Sequence, residues 1–197
     1  MRLLYTYFIR QSLAWWYMDD GHLKIVNGIP TKIILSTESF SEQENMLLIA
    51  FLEQKYGLVF KTDKQNRIIL YDQFQIRYFL FLINPYMQTC MYRKTITTFY
   101  LPNVQNHKRT TLYLPNSIPL KHPTKEINQT LQHLDQIIFA YKQNYFYDAF
   151  KQKISLLQQN TKPYQIVIHC TNLMRLLFLK EATGLNFSKI TELAFTI

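Results

Sequence analysis

Two adjacent carboxylates, Asp19 and Asp20, end an almost wholly apolar segment that begins at Leu13, and Gly21 follows them directly. A helix covered on most sides would end where its acids reach solvent. Carboxylate oxygens are preferred ligands of Mg²⁺, and a bound cation stabilises the oxygens on which charge accumulates during phosphodiester hydrolysis. Asp-Gly alone also forms turns, but two acids at a helix C-terminus oppose the helix dipole, so local stability does not favour them. The pattern therefore favours metal-assisted phosphodiester chemistry.

The composition indicates a folded protein with a polyanionic partner. The chain has 197 residues, of which 48% are hydrophobic, and its formal net charge is +9. This length accommodates one or two domains with a core. The basic excess is +3 in residues 1–100 and +6 in residues 101–197. Basic surfaces of this kind are typical of nucleic-acid binding.

The cysteines and the N-terminus narrow the class of protein further. Cys90 and Cys170 share no ligand spacing with the histidines, so the sequence predicts no zinc site and a reducing compartment. The apolar N-terminus is interrupted by Arg10 and Gln11 well before a membrane-spanning length is reached. We expect an intracellular protein of the cytoplasm, nucleoid or organelle matrix, with no secretion signal and no membrane partner.

The elements around the acids alternate helices with pairs of strands. A capping box at Ser41 and Glu44 opens one helix, and Asn84-Pro85 ends another. The predicted order is helix, strand, strand, helix, strand, strand, helix, with strands at 22–27, 31–37, 58–62 and 67–71 and later helices at 41–56 and 74–83.

The segment Leu13-Ala-Trp-Trp-Tyr-Met-Asp-Asp-Gly21 resembles the signature of the LAGLIDADG homing endonucleases, in the bulky form often seen as the second of two copies. Three further stretches resemble the family in the same order, namely Leu35–Ser41, Leu52–Gly57 and Pro85–Lys94. The resemblance covers residues 7–95. It implies an α+β fold, with one α-β-β-α-β-β-α repeat and a four-stranded antiparallel, saddle-like sheet.

We therefore expect three regions along the chain. Residues 1–100 form the LAGLIDADG-type repeat, residues 101–123 form an irregular connector rich in proline, and residues 124–197 form a mainly helical extension. Within the extension, residues 179–193 are similar to a helix-turn-helix, with Gly184 in the turn. An ordinary helical hairpin is the alternative reading of that segment.

The resemblance assigns roles to the residues at and near the acids. Asp20 falls on the family's metal-binding acid, and Gly21 falls where a backbone carbonyl often assists. Asp19 is a secondary ligand in this bulky variant. Lys94 matches the basic residue near the scissile phosphate, and Arg93 beside it can share that role. The resemblance thus implies Asp20 and Lys94 as catalytic residues and Mg²⁺ as the cofactor.

Alternation along the predicted strands separates an apolar face from a cationic face. One set of apolar side chains, Ile25 among them, points toward the helices. The opposite face carries cations and hydrogen-bonding groups that can lie against double-stranded DNA in the major groove. The residues expected to bind DNA are His22, Lys24, Lys32, Lys61, Arg67 and Tyr71, together with Arg93.

The sequence holds a single copy of the signature, whereas the family crosses two signature helices so that each contributes one acid. A second copy must come from a homodimer or from another LAGLIDADG-containing chain. Trp15 stands at a crossing position that is usually small, which opposes close packing of two identical helices. The implied function is a site-specific, Mg²⁺-dependent double-stranded DNA endonuclease of homing type. The alternatives are a LAGLIDADG-derived DNA-binding protein without cleavage, with a regulatory role, and an intron RNA maturase.

Overall fold

The computed structural model describes residues 6–96, 104, 106–157 and 160–197. The chain divides into two compact units, Met1–Thr98 and Phe99–Ile197. In the N-terminal unit the helices are α1 (Arg10–Asp20), α2 (Glu42–Tyr56) and α3 (Gln73–Ile83), and the strands are β1 (Gly21–Val26), β2 (Ile29–Leu35), β3 (Lys61–Thr62) and β4 (Ile68–Leu70). Two short 3₁₀ segments follow α3, at Asn84–Tyr86 and Thr89–Lys94.

The strands of the N-terminal unit form one antiparallel sheet in the order β1-β2-β4-β3. Asn27 and Gly28 both have positive φ, 52° and 76°, which suits the tight turn that joins β1 to β2. Helix α2 begins with the expected capping box, in which the Ser41 hydroxyl accepts from the Glu44 amide and the Glu44 carboxylate accepts from the Ser41 amide. The expected α+β repeat with a four-stranded antiparallel sheet is confirmed.

The side chains expected to face the helices are buried, with one exception. Leu23, Ile33 and Leu35 are buried, as are the core residues of the strands that follow. The expectation for Ile25 is wrong, because its side chain is 46% exposed. The register between β1 and β2 shifts between Lys24 and Ile25, and such an irregularity turns the following side chain away from its regular face.

The C-terminal unit contains five helices among its described residues and a pair of antiparallel strands. Its helices are α4 (Pro123–Thr130), α5 (Leu134–Lys142), α6 (Phe146–Ser155), α7 (Cys170–Thr183) and α8 (Phe187–Ala194), and its strands are β5 (Lys108–Pro115) and β6 (Thr161–Ile168). The unit is mainly helical, as expected.

The expected irregular connector at residues 101–123 is wrong for Lys108–Pro115, which form a strand. This strand pairs with β6 from Lys108 opposite Ile168 to Pro115 opposite Thr161. Because the partner lies about fifty residues further along the chain, local composition gives no sign of the pairing. Proline at the very end of a strand is compatible with such a ladder.

Within the described ranges, no helix has both the length and the apolar character needed to cross a membrane.

Candidate active site

Helix α1 ends at Asp20, and the chain turns there so tightly that the next residue has no room for a side chain. A Cβ built on Gly21 would lie 2.1 Å from Tyr17 Cδ2 and 2.4 Å from the Tyr17 carbonyl oxygen. The Gly21 amide donates to that same carbonyl, and the chain then turns directly into β1. The Ser36 amide donates to the Asp20 carbonyl at 3.1 Å and ties the helix end to the sheet. Asp19 and Asp20 are therefore held at a fixed junction, with both side chains exposed.

Lys94 is anchored against the end of the same helix. Its Nζ donates to the Met18 carbonyl at 2.7 Å and lies 3.5 Å from the Tyr17 carbonyl oxygen. The Tyr17 hydroxyl in turn donates to the Lys94 carbonyl at 2.6 Å, and the Lys94 Nζ sits 5.9 Å from the centre of the Tyr17 ring. A cation that binds the last carbonyls of a helix interacts favourably with the negative end of the helix dipole. It thereby offsets the unfavourable placement of two acids at that end. The structure thus brings the two expected catalytic residues to one helix end.

The electrostatics around Lys94 reflect this crowded setting. Partial burial is the main cause of a pKa below the ordinary lysine value, and the neighbouring Arg93 lowers it further. Asp19 and Asp20 act in the opposite direction and favour the charged form. Burial also raises the pKa of the Tyr17 hydroxyl, so this group remains a neutral hydrogen-bond donor. Both acids of the signature therefore interact electrostatically with the Lys94 ammonium group.

The donors at this helix end fit half of a site for a hard cation. Asp19 and Asp20 offer carboxylate oxygens to solvent, which suits Mg²⁺ or Ca²⁺. Across the part of the chain that the structure describes, no group of three or more His, Cys, Asp or Glu residues could hold a metal ion. Mg²⁺ requires near-octahedral coordination, so two carboxylates leave positions for backbone carbonyls, water or oxygens of another molecule.

The cationic face of the sheet places basic side chains in rows across the strands. Lys24 lies directly opposite Lys32, and His22 lies opposite Ile34. Lys61 lies opposite Ile69, which is itself paired with Ile34. His22 and Lys61 are exposed, whereas the two isoleucines between them are buried. The face thus consists of an apolar centre flanked by cations, and Tyr71 is exposed just beyond the end of β4.

Of the two arginines expected to bind DNA, one forms an ion pair within the protein and the other is exposed. Arg67 Nη2 lies 2.6 Å from Asp63 Oδ2, and its Nε lies 4.0 Å from Glu38. The hydrogen bond from Arg67 lowers the pKa of the Asp63 carboxyl. Arg67 therefore already binds and stabilises the turn between β3 and β4. Arg93 is exposed next to Lys94.

One side of α1 faces solvent and carries a large apolar group. Trp15 is 58% exposed, whereas Leu13, Ala14 and Tyr17 are fully buried within the protein. Ala14, the small residue of the signature, is therefore not available to a second helix. Any helix that packs on the exposed side must accommodate Trp15.

Residues 1–79 match the model of the LAGLIDADG DNA endonuclease family. The similarity to this family thus lies within the N-terminal unit. The matched range contains the signature helix α1, the complete sheet and most of α3.

Two known proteins are similar to the same region of the chain. The "Probable intron-encoded endonuclease 1" of Wickerhamomyces canadensis is 34% identical over 90 residues, which cover 43% of this chain and 38% of that protein. The solved structure of the homing endonuclease I-WcaI bound to its DNA recognition sequence is 31% identical, with a TM-score of 0.41, and the match covers 46% of this chain and 42% of that chain. The chain thus spans less than half the length of the relatives it matches.

The segment expected to resemble a helix-turn-helix forms two helices joined at Gly184, which has a φ of 75°. Asn186 is the N-cap of α8, since its side chain accepts from the Lys189 amide. Lys189 is, however, the only exposed residue within α8. A recognition helix must present several side chains to a groove, and α8 instead packs into its own unit. The described geometry favours the helical hairpin.

Two features escaped sequence reasoning. Tyr17 holds the backbone of Lys94, a contact between residues 77 positions apart that no local pattern reveals. The C-terminal unit also contains an open cleft of about 960 Å³ whose lining includes Lys121, Lys125 and Arg175. The basic excess of residues 101–197 was the only sequence signal for it.

Proposed function

We propose that the protein is a site-specific double-stranded DNA endonuclease of homing type, which hydrolyses phosphodiesters with Mg²⁺ and needs a second LAGLIDADG helix from a partner chain. The observation that carries this proposal is the junction at the end of α1, where exposed Asp19 and Asp20 meet the anchored Lys94. A surface turn has no need of a lysine that reaches back from residue 94 to the helix carbonyls.

Each residue of the junction has a role in this proposal. Asp20, with Asp19 and the Gly21 carbonyl, would hold Mg²⁺, which supplies charge stabilisation at the scissile phosphate. Lys94 Nζ is fixed beside these acids and stabilises negative charge on the phosphate oxygens. The cationic face of the sheet, with Lys24 and Lys32 directly opposed, binds the DNA backbone and base edges.

The incomplete cation site and the exposed side of α1 support the proposed partner chain. One chain contributes the carboxylates of a single signature, and its free helix face presents Trp15. A partner helix with small residues opposite Trp15 allows close crossing, as a first-copy signature would provide. A homodimer must shift its helices so that the two Trp15 rings pass each other.

Cleavage of a plasmid that carries the joined flanks of the gene tests the proposal. We expect cutting with Mg²⁺, binding without cutting with Ca²⁺, and loss of cutting by at least about a hundredfold in Asp20→Asn. Glu53→Gln is the matched control, because it removes a charge from an exposed site on α2 of the same unit. Light scattering, with and without the flank duplex, measures how many chains assemble.

Three outcomes would contradict the proposal. Retention of the plasmid with Mg²⁺ but without cutting identifies a DNA-binding protein that does not cleave. Stronger binding of the host intron transcript than of the duplex identifies an RNA maturase. A chain that cuts as a monomer removes the requirement for a second helix.

A further inference from the structure

The cleft of the C-terminal unit is lined mainly by basic and polar side chains. It is an open space of about 960 Å³ formed where the segment before α4 and the segment before α7 run alongside α4, α5 and α7. Lys121 and Lys125 lie exposed on one part of its wall, and Arg175 lies on another. His122 and His169 add two imidazoles.

The charge of this lining is strongly one-sided. Asp135 is its only carboxylate, and Asp135 is bound to Arg175 through two hydrogen bonds of 2.7 and 2.8 Å. No ion pair joins Lys121 or Lys125 to a carboxylate in the described parts of the chain. Two cations therefore remain to attract an anion, and the first turns of α4 and α7 add partial positive charge.

The floor of the cleft is pre-organised by buried amides. The Asn172 side chain donates to the Asn128 carbonyl at 2.8 Å and accepts from Arg175 Nη1 at 3.0 Å. Asn128 in turn donates to the carbonyls of Thr124 and Val167 at 2.7 and 2.8 Å. Both asparagines are nearly fully buried. Because these partners hold Arg175 in place, little side-chain entropy is lost when the cleft binds a ligand.

The remaining lining selects the chemistry of the ligand. Apart from the two imidazoles, it is made of amide and hydroxyl groups such as those of Gln129, Gln132 and Thr171, and it contains no Phe, Tyr or Trp on which a base could stack. Cations with amide donors suit phosphate oxygens, whereas sequence-tolerant binding of unstacked bases relies on aromatic platforms.

We propose that this cleft binds backbone phosphates of duplex DNA and provides a second, sequence-independent DNA contact outside the LAGLIDADG sheet. The inference rests on the proposed DNA-binding function. It assigns a use to the basic excess of +6 in residues 101–197, which the family signature leaves unexplained. Lys121 and Lys125 supply the free positive charge, and Asp135 offsets the charge of Arg175.

The salt dependence of DNA binding by the full chain tests this site. The probe is a labelled duplex of scrambled sequence, titrated in EDTA over a range of salt concentrations, so that cleavage plays no part. For the double variant Lys121→Gln/Lys125→Gln we expect the slope of log affinity against log salt to fall by about 2 and the affinity at 0.1 M salt to drop by at least about tenfold. Asp135→Asn removes the single acid, and we expect it to tighten binding.

The matched control is Lys142→Gln/Lys189→Gln, which removes the same charge from exposed positions of the same unit that do not line the cleft. An equal loss of slope in this control overturns the proposal, because net charge alone would then explain it. An unchanged slope in the cleft variant overturns the cleft while the endonuclease proposal stands. If the cleft variant loses affinity for single-stranded RNA but not for the duplex, the proposal is also overturned. Wild-type protein that binds no duplex contradicts both proposals.

Discussion

The two cationic surfaces of this protein are built in opposite ways. On the N-terminal sheet, Lys24 and Lys32 face each other across neighbouring strands, and their positions follow from the two-residue period of a strand. In the C-terminal cleft, Lys121, Lys125 and Arg175 come from a loop and two different helices, and a buried pair of asparagines organises the floor. A regular surface can therefore be predicted from sequence, whereas an assembled one cannot.

The difference also concerns how each surface tolerates its own charge. The opposed lysines of the sheet repel each other in the free protein, and under the proposed function bound DNA would relieve this repulsion. The cleft instead neutralises Arg175 with Asp135. We expect the sheet to gain stability when a lysine is removed and the cleft to gain DNA affinity when its acid is removed.

The largest expected effect is a loss of stability in the N-terminal unit. Gly21→Ala forces a Cβ to within 2.1 Å of the Tyr17 ring, and we expect the N-terminal unit to lose about 3 kcal/mol of unfolding free energy. Trp15 and Trp16 are the two tryptophans of the chain, and both lie in α1, so tryptophan fluorescence during denaturation follows this unit.

Gly28→Ala is the control for this prediction. Its Cβ would meet nothing within 4 Å, so the cost comes from the positive φ of 76° alone and is about 1 kcal/mol. Equal losses in the two variants would show that the contact with Tyr17 does not decide how α1 ends.

The sequence predicted the N-terminal unit well because its signals are local. The acids, Gly21 and the capping box at Ser41 each act within a few residues. The exposure of Ile25 could not be predicted, because a register shift depends on the partner strand. The strand Lys108–Pro115 was missed for the same reason, since its partner begins at Thr161. Lys94 was assigned by family resemblance, but its anchor on Tyr17 required tertiary structure.

The next largest effect concerns the opposed lysines of the sheet. For Lys32→Gln we expect the DNA-binding salt slope to fall by about 1 and the affinity at 0.1 M salt to drop roughly tenfold. Because the repulsion with Lys24 is removed, the free protein should gain about 0.3 kcal/mol at low salt.

Lys64→Gln provides the comparison, since this exposed lysine lies in the turn before β4. We expect it to change neither the slope nor the stability as much as Lys32→Gln does. A Lys32→Gln protein that loses stability at low salt would show that the two lysines do not repel each other.

A smaller effect is expected at the contact between Tyr17 and Lys94. Tyr17→Phe removes the hydroxyl that donates to the Lys94 carbonyl at 2.6 Å, with a cost of about 1 kcal/mol. Under the proposed function, cleavage should slow by up to about tenfold while duplex binding in Ca²⁺ stays unchanged, because the variant moves the Lys94 ammonium and leaves the sheet intact. Equal losses in cleavage and binding would indicate a general structural role for Tyr17.

The smallest effect compares the acid response of the two carboxylate–arginine pairs. The hydrogen bond from Arg67 lowers the pKa of Asp63, so the ionised form is favoured in the folded state. The stabilisation is thus present above the ordinary Asp pKa and is lost as the pH falls through the lower folded value. In Asp63→Asn we expect tryptophan fluorescence to report about 0.5 kcal/mol less stability at neutral pH and a weaker decline below about pH 4. Hydrogen bonds from Ser41 also lower the pKa of Glu44, so part of the loss of stability at low pH remains in this variant. Asp135→Asn removes the Arg175–Asp135 pair of the C-terminal unit and should leave this fluorescence signal unchanged. An equal change in both variants would show that the two units unfold together.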